Sequence, residues 1–257
     1  MIDFLFVVIF LSNLVIGILL GLSGISGFLL PLIYVGFLGL PLSDSLTLSF
    51  AAFAVSGIIG AYSYWQSENM NVRLAVLLSA GSLPGAYCGV LVNHLIPDHT
   101  AKLLLYLFIL FSGLSLLVKK QEKSLSGDQY YSSKLVDNKR IVIILGFITA
   151  AVCSLTGAGG PIVVVPLLVH FGINPRVAVG VSLFNSVIIA CPAIAGYLAQ
   201  SNALTIMPLL AQSLSGMIIG ILIGVYFANQ VQLKVLRILI AVLTICSSVY
   251  MLYATIG

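Results

Sequence analysis

Charge is what this chain has least of. Lys, Arg, Asp and Glu together make up 7% of its 257 residues, where a soluble domain carries roughly 25%. With 60% hydrophobic residues and a mean hydropathy of +1.18, a water-exposed domain of this size would have almost nothing polar to present at its surface. Such polarity as exists is concentrated between residues 119 and 140. The solvent for the rest is lipid.

Other absences narrow the reading further. Strand-like alternation of apolar and polar residues is missing, which argues against an outer-membrane barrel and for an all-α, polytopic transmembrane fold. The four cysteines, Cys88, Cys153, Cys191 and Cys246, stand inside apolar segments with no CxxC or CxxH spacing. They indicate neither a metal site nor a disulfide framework, and read as small buried hydrophobes. No acidic residue falls near the centre of an apolar segment, which counts against a cation site or a carboxylate proton relay. The first segment has no basic leader: Asp3 is its only charge, and its apolar character continues past Gly27 to Leu40. It is expected to stay in the mature chain. No cofactor is indicated, and the net charge of +4 is not a nucleic-acid signal, because Lys and Arg stand at loops beside apolar segments.

A helix needs about 20 apolar residues to span the hydrocarbon. Full spans are expected at 45–65, 72–92, 102–118, 177–199, 206–227 and 233–254, and two longer stretches, 4–40 and 141–172, are broken by glycine. Comparing the chain with itself gives a register. Ser23-Gly24-Ile25-Ser26-Gly27 matches Thr156-Gly157-Ala158-Gly159-Gly160 at an offset of 133, as Ser49-Phe50 matches Ser182-Leu183 and Tyr64 matches Tyr197. Gly85 and Gly89 match Gly216 and Gly220 at 131. The expected organisation is an N-terminal repeat at 1–118, a linker at 119–140 and a C-terminal repeat at 141–257.

Each repeat holds one broken segment and three spans. Whether the broken segment crosses twice or returns to its own side, the number of crossings is odd and the second repeat is inverted. Charge supports this, since cytoplasmic loops collect Lys and Arg. With the linker inside, ten of the eleven Lys and Arg are cytoplasmic, among them Arg73, Arg176, Lys234 and Arg237. Lys102 falls outside with Asp3, Asp44 and Asp98, and both termini are extracytoplasmic. Arg73 and Arg176 read as topology anchors, and Tyr64 and Trp65 as part of an interfacial aromatic belt.

A polar solute needs hydrogen-bonding groups at mid-membrane, and irregular backbone is tolerated there only where it lines a cavity or is buried in protein. The clusters 21–27 and 156–161 are too rich in glycine to continue a helix, and Pro161 suits the first turn of a new one. Two helix starts converging at a pseudo-twofold axis would make an anion site without a cationic side chain. The candidate substrate-binding residues are Ser23, Gly24, Ser26, Gly27, Ser49, Thr156, Gly157, Gly159, Gly160, Ser182 and Asn185. The same spans also carry Ser45, Thr47 and Ser186. Asn185 either bonds a neighbouring helix or meets ligand, because an unpaired amide is costly in lipid. Gly57, Gly60, Gly85, Gly89, Gly216, Gly220 and Gly224, within unbroken spans, are expected to serve close helix packing. His170 is the one titratable group placed to couple protons.

At these clusters the chain resembles the TauE/SafE sulfite exporter family. The residues that carry the resemblance are Ser23-Gly-Ile-Ser-Gly27 with Pro31, Thr156-Gly-Ala-Gly-Gly-Pro161 with Pro166, Ala178-Val-Gly-Val-Ser-Leu183, and Gly196-Tyr197. Ser26, where a further glycine is common, and Asp44-Ser-Leu-Thr-Leu-Ser49 depart from the pattern. The resemblance implies a permease that moves sulfite or organosulfonates such as sulfoacetate, generally outward. The expected partners are a small anionic solute and the bilayer, with a homodimer left open. The alternatives are an anion channel, an intramembrane enzyme using Ser or Cys near His170, and a membrane scaffold.

Overall fold

The structure is a computed structural model and describes residues 2–23, 26–118, 138–201, 203–227 and 233–256. Among these residues every regular element is a helix. In the first half α1 is Ile2–Ser23, α2 Ser26–Phe37, α3 Leu42–Gln66, α4 Val72–Leu95 and α5 Asp98–Val118. In the second, α6 is Lys139–Thr156, α7 Gly160–His170, α8 Pro175–Leu198, α9 Ala203–Phe227 and α10 Leu233–Ile256.

Local chemistry explains where several of these begin. The Asn71 side chain accepts the Leu74 N–H at 3.0 Å and caps α4, and Asn174 accepts the Arg176 N–H at 2.9 Å ahead of Pro175, the first residue of α8. The second glycine break ends α6 at Gly157, whose φ of +70° lies in the left-handed region that glycine enters without penalty. Pro161 then sits in the first turn of α7, as its sequence position suggests.

Among the described residues six helices, α1, α3, α4, α6, α8 and α9, are long and apolar enough to cross a membrane. Here the structure departs from the sequence reading. The first arms of both broken stretches, α1 and α6, have span length in themselves. The helices expected at 102–118 and 233–254 are present as α5 and α10. The first turn of α5 carries Asp98, His99 and Lys102, and the described apolar part of α10 is the shorter Ile240–Thr255.

Contacts fix the helix directions. Gly57 and Gly60 of α3 meet Leu183 of α8, whereas Tyr64 meets Gly180, so α3 and α8 are antiparallel. Gly113 meets Thr244 and Ile245, and the His99 ring lies 3.3 Å from the Thr255 carbonyl, so α5 and α10 are antiparallel. Gly81, Gly85 and Gly89 of α4 face Ile143, Phe147 and Ala151 of α6 in the same order, and Gly216, Gly220 and Gly224 of α9 face Phe10, Leu14 and Ile18 of α1. Both of these pairs are parallel.

The path of the chain follows from these directions. Ile2 and the start of α3 stand at the same end of the bundle, so α1 and α2 form a hairpin that returns to its own side. The start of α8 likewise stands at the end from which α6 set out. Arg73, Lys139, Arg140 and Arg176 then share one end, and Asp44, Asp98 and Lys102 the other.

The glycine-lined pairs are in backbone contact. A Cβ added at Gly81 or Gly85 would lie 1.8 or 2.2 Å from the carbonyl oxygen of Ile143 or Phe147, and one at Gly220 2.3 Å from that of Leu14. Close packing, expected for these glycines, is what they do. Within lipid such contact replaces the hydrophobic drive that holds helices together in water. The outer faces carry large exposed apolar residues such as Phe111, Ile144 and Tyr226. Cys191 and Cys246 are exposed and only Cys153 is fully buried, correcting the expectation of four buried thiols. In lipid the outside is as apolar as the inside, so an apolar segment does not tell which way a thiol faces.

Candidate functional site

The enclosed helices α3 and α8 cross at the centre, and Phe53 and Ser186 stand at their midpoints. Both glycine breaks come to this level. A Cβ at Gly27 would lie 2.8 Å from Cε1 of Phe53, and one at Gly159 3.2 Å from Cε2 of the same ring. The two glycines thus approach opposite edges of one phenyl ring. Gly160 meets the other midpoint, its added Cβ falling 2.9 Å from the Ser186 hydroxyl. At the offset of 133, Gly27 and Phe53 correspond to Gly160 and Ser186.

A small cavity opens here, its free volume on the scale of a single water molecule. Gly27 and Phe28 from the start of α2, and Gly159 and Pro161 from the start of α7, line it with Phe53. Ser56, Leu183, Ser186 and Leu20 complete the wall. Both short helices therefore begin beside the cavity and run away from it toward opposite ends of the bundle. No lining residue is charged. The two hydroxyls already donate within their own helices, Ser56 to the Phe53 carbonyl at 3.2 Å and Ser186 to the Ser182 carbonyl at 2.8 Å.

The candidates from sequence are distributed unevenly around this point. Gly27 and Gly159 line the cavity, and Gly160 packs on Ser186 beside it. Ser26, next to Gly27, is fully buried, and its hydroxyl has no hydrogen-bond partner among the described residues. Gly157 sits lower, where an added Cβ would be 2.2 Å from Leu46. Thr156, Ser49 and Ser182 each donate to the carbonyl four residues back, those of Val152, Ser45 and Ala178. None of these three lines the cavity.

Asn185 accepts the Ser79 hydroxyl at 3.2 Å across α8 and α4, and its amide nitrogen is without a partner among the described residues. His170 is exposed at the far end of α7, about 15 Å from Gly160 along the helix axis. Gly24 and the side chain of Ser23 lie outside the described residues.

Sequence reasoning missed Phe53 and Ser56. Phe53 is held by a series of ring contacts: it meets Phe50 edge-on at 5.8 Å, and Phe50 stacks on Tyr197 at 6.0 Å. The Tyr197 hydroxyl donates to the Ser154 carbonyl at 2.7 Å. The matches of Phe50 and Tyr197 in the internal repeat were the available signal. A second buried cluster had no signal at all: Asn13 donates to the Tyr34 hydroxyl and accepts from Ser213 at 3.1 Å, tying α1, α2 and α9 together.

Among the described residues, an all-helical bundle with apolar outer faces, six span-length helices and irregular backbone gathered around a central cavity defines a polytopic membrane protein. The family model described as "Sulfite exporter TauE/SafE" matches residues 9–251, and the chain belongs to that family of membrane transporters. Among curated proteins it is 24% identical over 249 residues to the "Probable membrane transporter protein YjnA" of Bacillus subtilis (strain 168), covering 93% of this chain and 96% of that one. It is 26% identical over 238 residues to the "Probable membrane transporter protein YdhB" of the same organism, covering 89% and 93%. A "Probable membrane transporter protein" of Haemophilus influenzae is 26% identical over 202 residues, covering 75% and 73%. No solved structure matches the chain.

Proposed function

We propose that the chain is an alternating-access carrier that exports small sulfur-containing anions, sulfite or organosulfonates of the sulfoacetate kind, through the cavity between the two glycine breaks. The observation that carries this reading is the approach of Gly27 and Gly159 to opposite edges of Phe53 at the centre of the bundle. Around it the starts of α2 and α7 offer backbone N–H groups and the positive ends of helix dipoles.

Residues 1–118 and 141–257 act as inverted repeats. The antiparallel pairing of α3 with α8 and of α5 with α10 supports this, because equivalent helices of inverted repeats run in opposite directions. The end that holds Arg73, Lys139, Arg140 and Arg176 faces the cytoplasm, with the 119–140 linker, and both termini face the outside of the plasma or inner membrane. A cavity the size of one water molecule is too narrow to pass a sulfonate as it stands, which favours a carrier over a channel.

Flux in proteoliposomes tests the reading. Saturable uptake of a sulfonate, with counterflow, is expected. Absence of flux of sulfite and of every sulfonate by folded protein removes the proposal, and linear, non-saturating flux without counterflow replaces the carrier by a channel.

A further inference from the structure

The tightest backbone contacts join helices from opposite halves of the chain. Gly81, Gly85 and Gly89 set α4 against α6 over about two turns. On its side α6 carries Gly146, whose added Cβ would fall 2.1 Å from the Leu78 carbonyl oxygen. In the same way Gly216, Gly220 and Gly224 of α9 meet α1, which carries Gly17 and Gly21. Polar contacts join the same partners. Asn93 donates to the Leu155 carbonyl at 2.8 Å and Ser82 to that of Gly146 at 3.2 Å, both from α4 to α6. Ser213 donates to Asn13 at 3.1 Å between α9 and α1, and Tyr34 brings in α2. The Tyr197 hydroxyl holds α8 to α6, and Gly196 of α8 packs on Val90 of α4. Gly160 seats α7 on Ser186 of α8, and α3 packs along α9.

Between α3 and α8 the contact is of another kind. Backbone comes close at Gly57, where an added Cβ would lie 2.7 Å from the Leu183 carbonyl oxygen. Elsewhere side chains meet: Gly60 touches the Leu183 side chain, Gly180 the Cβ of Tyr64, and the Phe50 ring stacks on Tyr197. The hydroxyls of Thr47, Ser49, Ser56, Ser182 and Ser186 all donate within their own helices. Apolar side chains can change rotamer and repack, whereas backbones in ladder contact cannot part without opening voids. The central cavity lies in this seam, with α1, α2 and α3 on one side and α7 and α8 on the other.

We propose that the moving bodies of the carrier are two units that each borrow a helix from the other half: α1, α2, α3 and α9 in one, α4, α6, α7 and α8 in the other. The proposal rests on the transport reading given above. At the internal offset Gly85 and Gly89 correspond to Gly216 and Gly220, so α4 and α9 are the exchanged helices and the two units are equivalent. The α3–α8 seam slides to open the cavity to one side and then the other. The α4–α6 and α1–α9 contacts stay closed throughout. Helices α5 and α10 pack chiefly on each other and belong to neither unit.

Reversible disulfides test this in the full chain with Cys88, Cys191 and Cys246 replaced, reconstituted in liposomes. Methanesulfonate flux is measured before oxidation, after it and after reduction, and cross-linking is followed by the loss of maleimide-reactive thiols. Val90→Cys with Gly196→Cys links α4 to α8, inside one unit but across the halves. An added Cβ at Gly196 lies 3.5 Å from that of Val90, within the roughly 3.5–4.5 Å span of disulfides. Tyr64→Cys with Gly180→Cys crosses the seam, where the corresponding separation is 3.0 Å. The oxidised Val90 and Gly196 pair should transport at its reduced rate. The oxidised Tyr64 and Gly180 pair should be slower by on the order of tenfold or more, with recovery on reduction. Asn13→Cys with Ser213→Cys, which links α1 to α9, should behave as the first pair does and gives the same reading if that pair fails to fold. Flux lost on oxidation and regained on reduction at either pair inside a unit overturns the proposal, because the halves of the chain are then the moving bodies. Flux unchanged by a complete cross-link between positions 64 and 180 overturns it as well, because α3 and α8 then do not slide. Absence of flux in the parent chain overturns the transport reading itself and this inference with it.

Discussion

At the residue scale the site depends on the absence of side chains at Gly27 and Gly159. Phe53 fills the space that a Cβ at either position would need. Gly159→Leu should therefore abolish sulfonate flux in proteoliposomes while the protein still inserts and elutes as a folded species. Normal flux would place the pathway elsewhere. Phe53→Ala should retain flux and extend it to bulkier sulfonates, measured as a fall in KM for larger substrates relative to methanesulfonate. Gly157 is different in kind: its left-handed backbone and the nearby Leu46 make Gly157→Ala destabilising by about 1–2 kcal/mol. Thermal unfolding in detergent reads that loss.

At the element scale two kinds of contact hold the bundle. One is backbone against glycine, in α4 with α6 and in α1 with α9. Gly85→Leu should lower the unfolding temperature sharply, because the neighbouring atoms are the Phe147 carbonyl and Cα rather than a movable side chain. The other is the cluster of Asn13, Tyr34 and Ser213, which ties the short α2 to its neighbours. Tyr34→Phe removes the hydroxyl and should cost about 0.6 kcal/mol, the measured average for polar contacts between membrane helices, and no more than about 1.7 kcal/mol, the largest value measured.

The glycine-lined contacts were legible in the sequence, since glycines at i and i+4 in an apolar segment have few other uses. So were the positions of the long helices, which follow from hydropathy and turn residues. The polar cluster was not, because Asn13, Tyr34 and Ser213 lie far apart in the chain and no local pattern links them. Phe53 was hidden for another reason: a phenylalanine in an apolar span looks like any other packing residue. The span length of α1 and α6 was obscured by the glycines that follow them, which made each stretch look broken at its middle. In fact the first arm continues past the level of the cavity, and the second begins at it.

At the scale of the whole molecule, inverted halves put both termini on one side of the membrane and the linker on the other. Tags at the two termini should be accessible from outside in intact cells, and a tag in the 119–140 linker only after permeabilisation. Opposite sidedness of the termini would refute the inverted arrangement.

If solute passes between the two breaks, a single thiol introduced at Ser186 lies on its path and can be labelled there. In a background with Cys88, Cys191 and Cys246 replaced, the Ser186→Cys variant should react with a small membrane-impermeant thiol reagent from either side of a reconstituted membrane. Methanesulfonate should slow the reaction from both. An active Ser186→Cys carrier whose introduced thiol reacts at the same rate with and without saturating sulfonate would contradict the account.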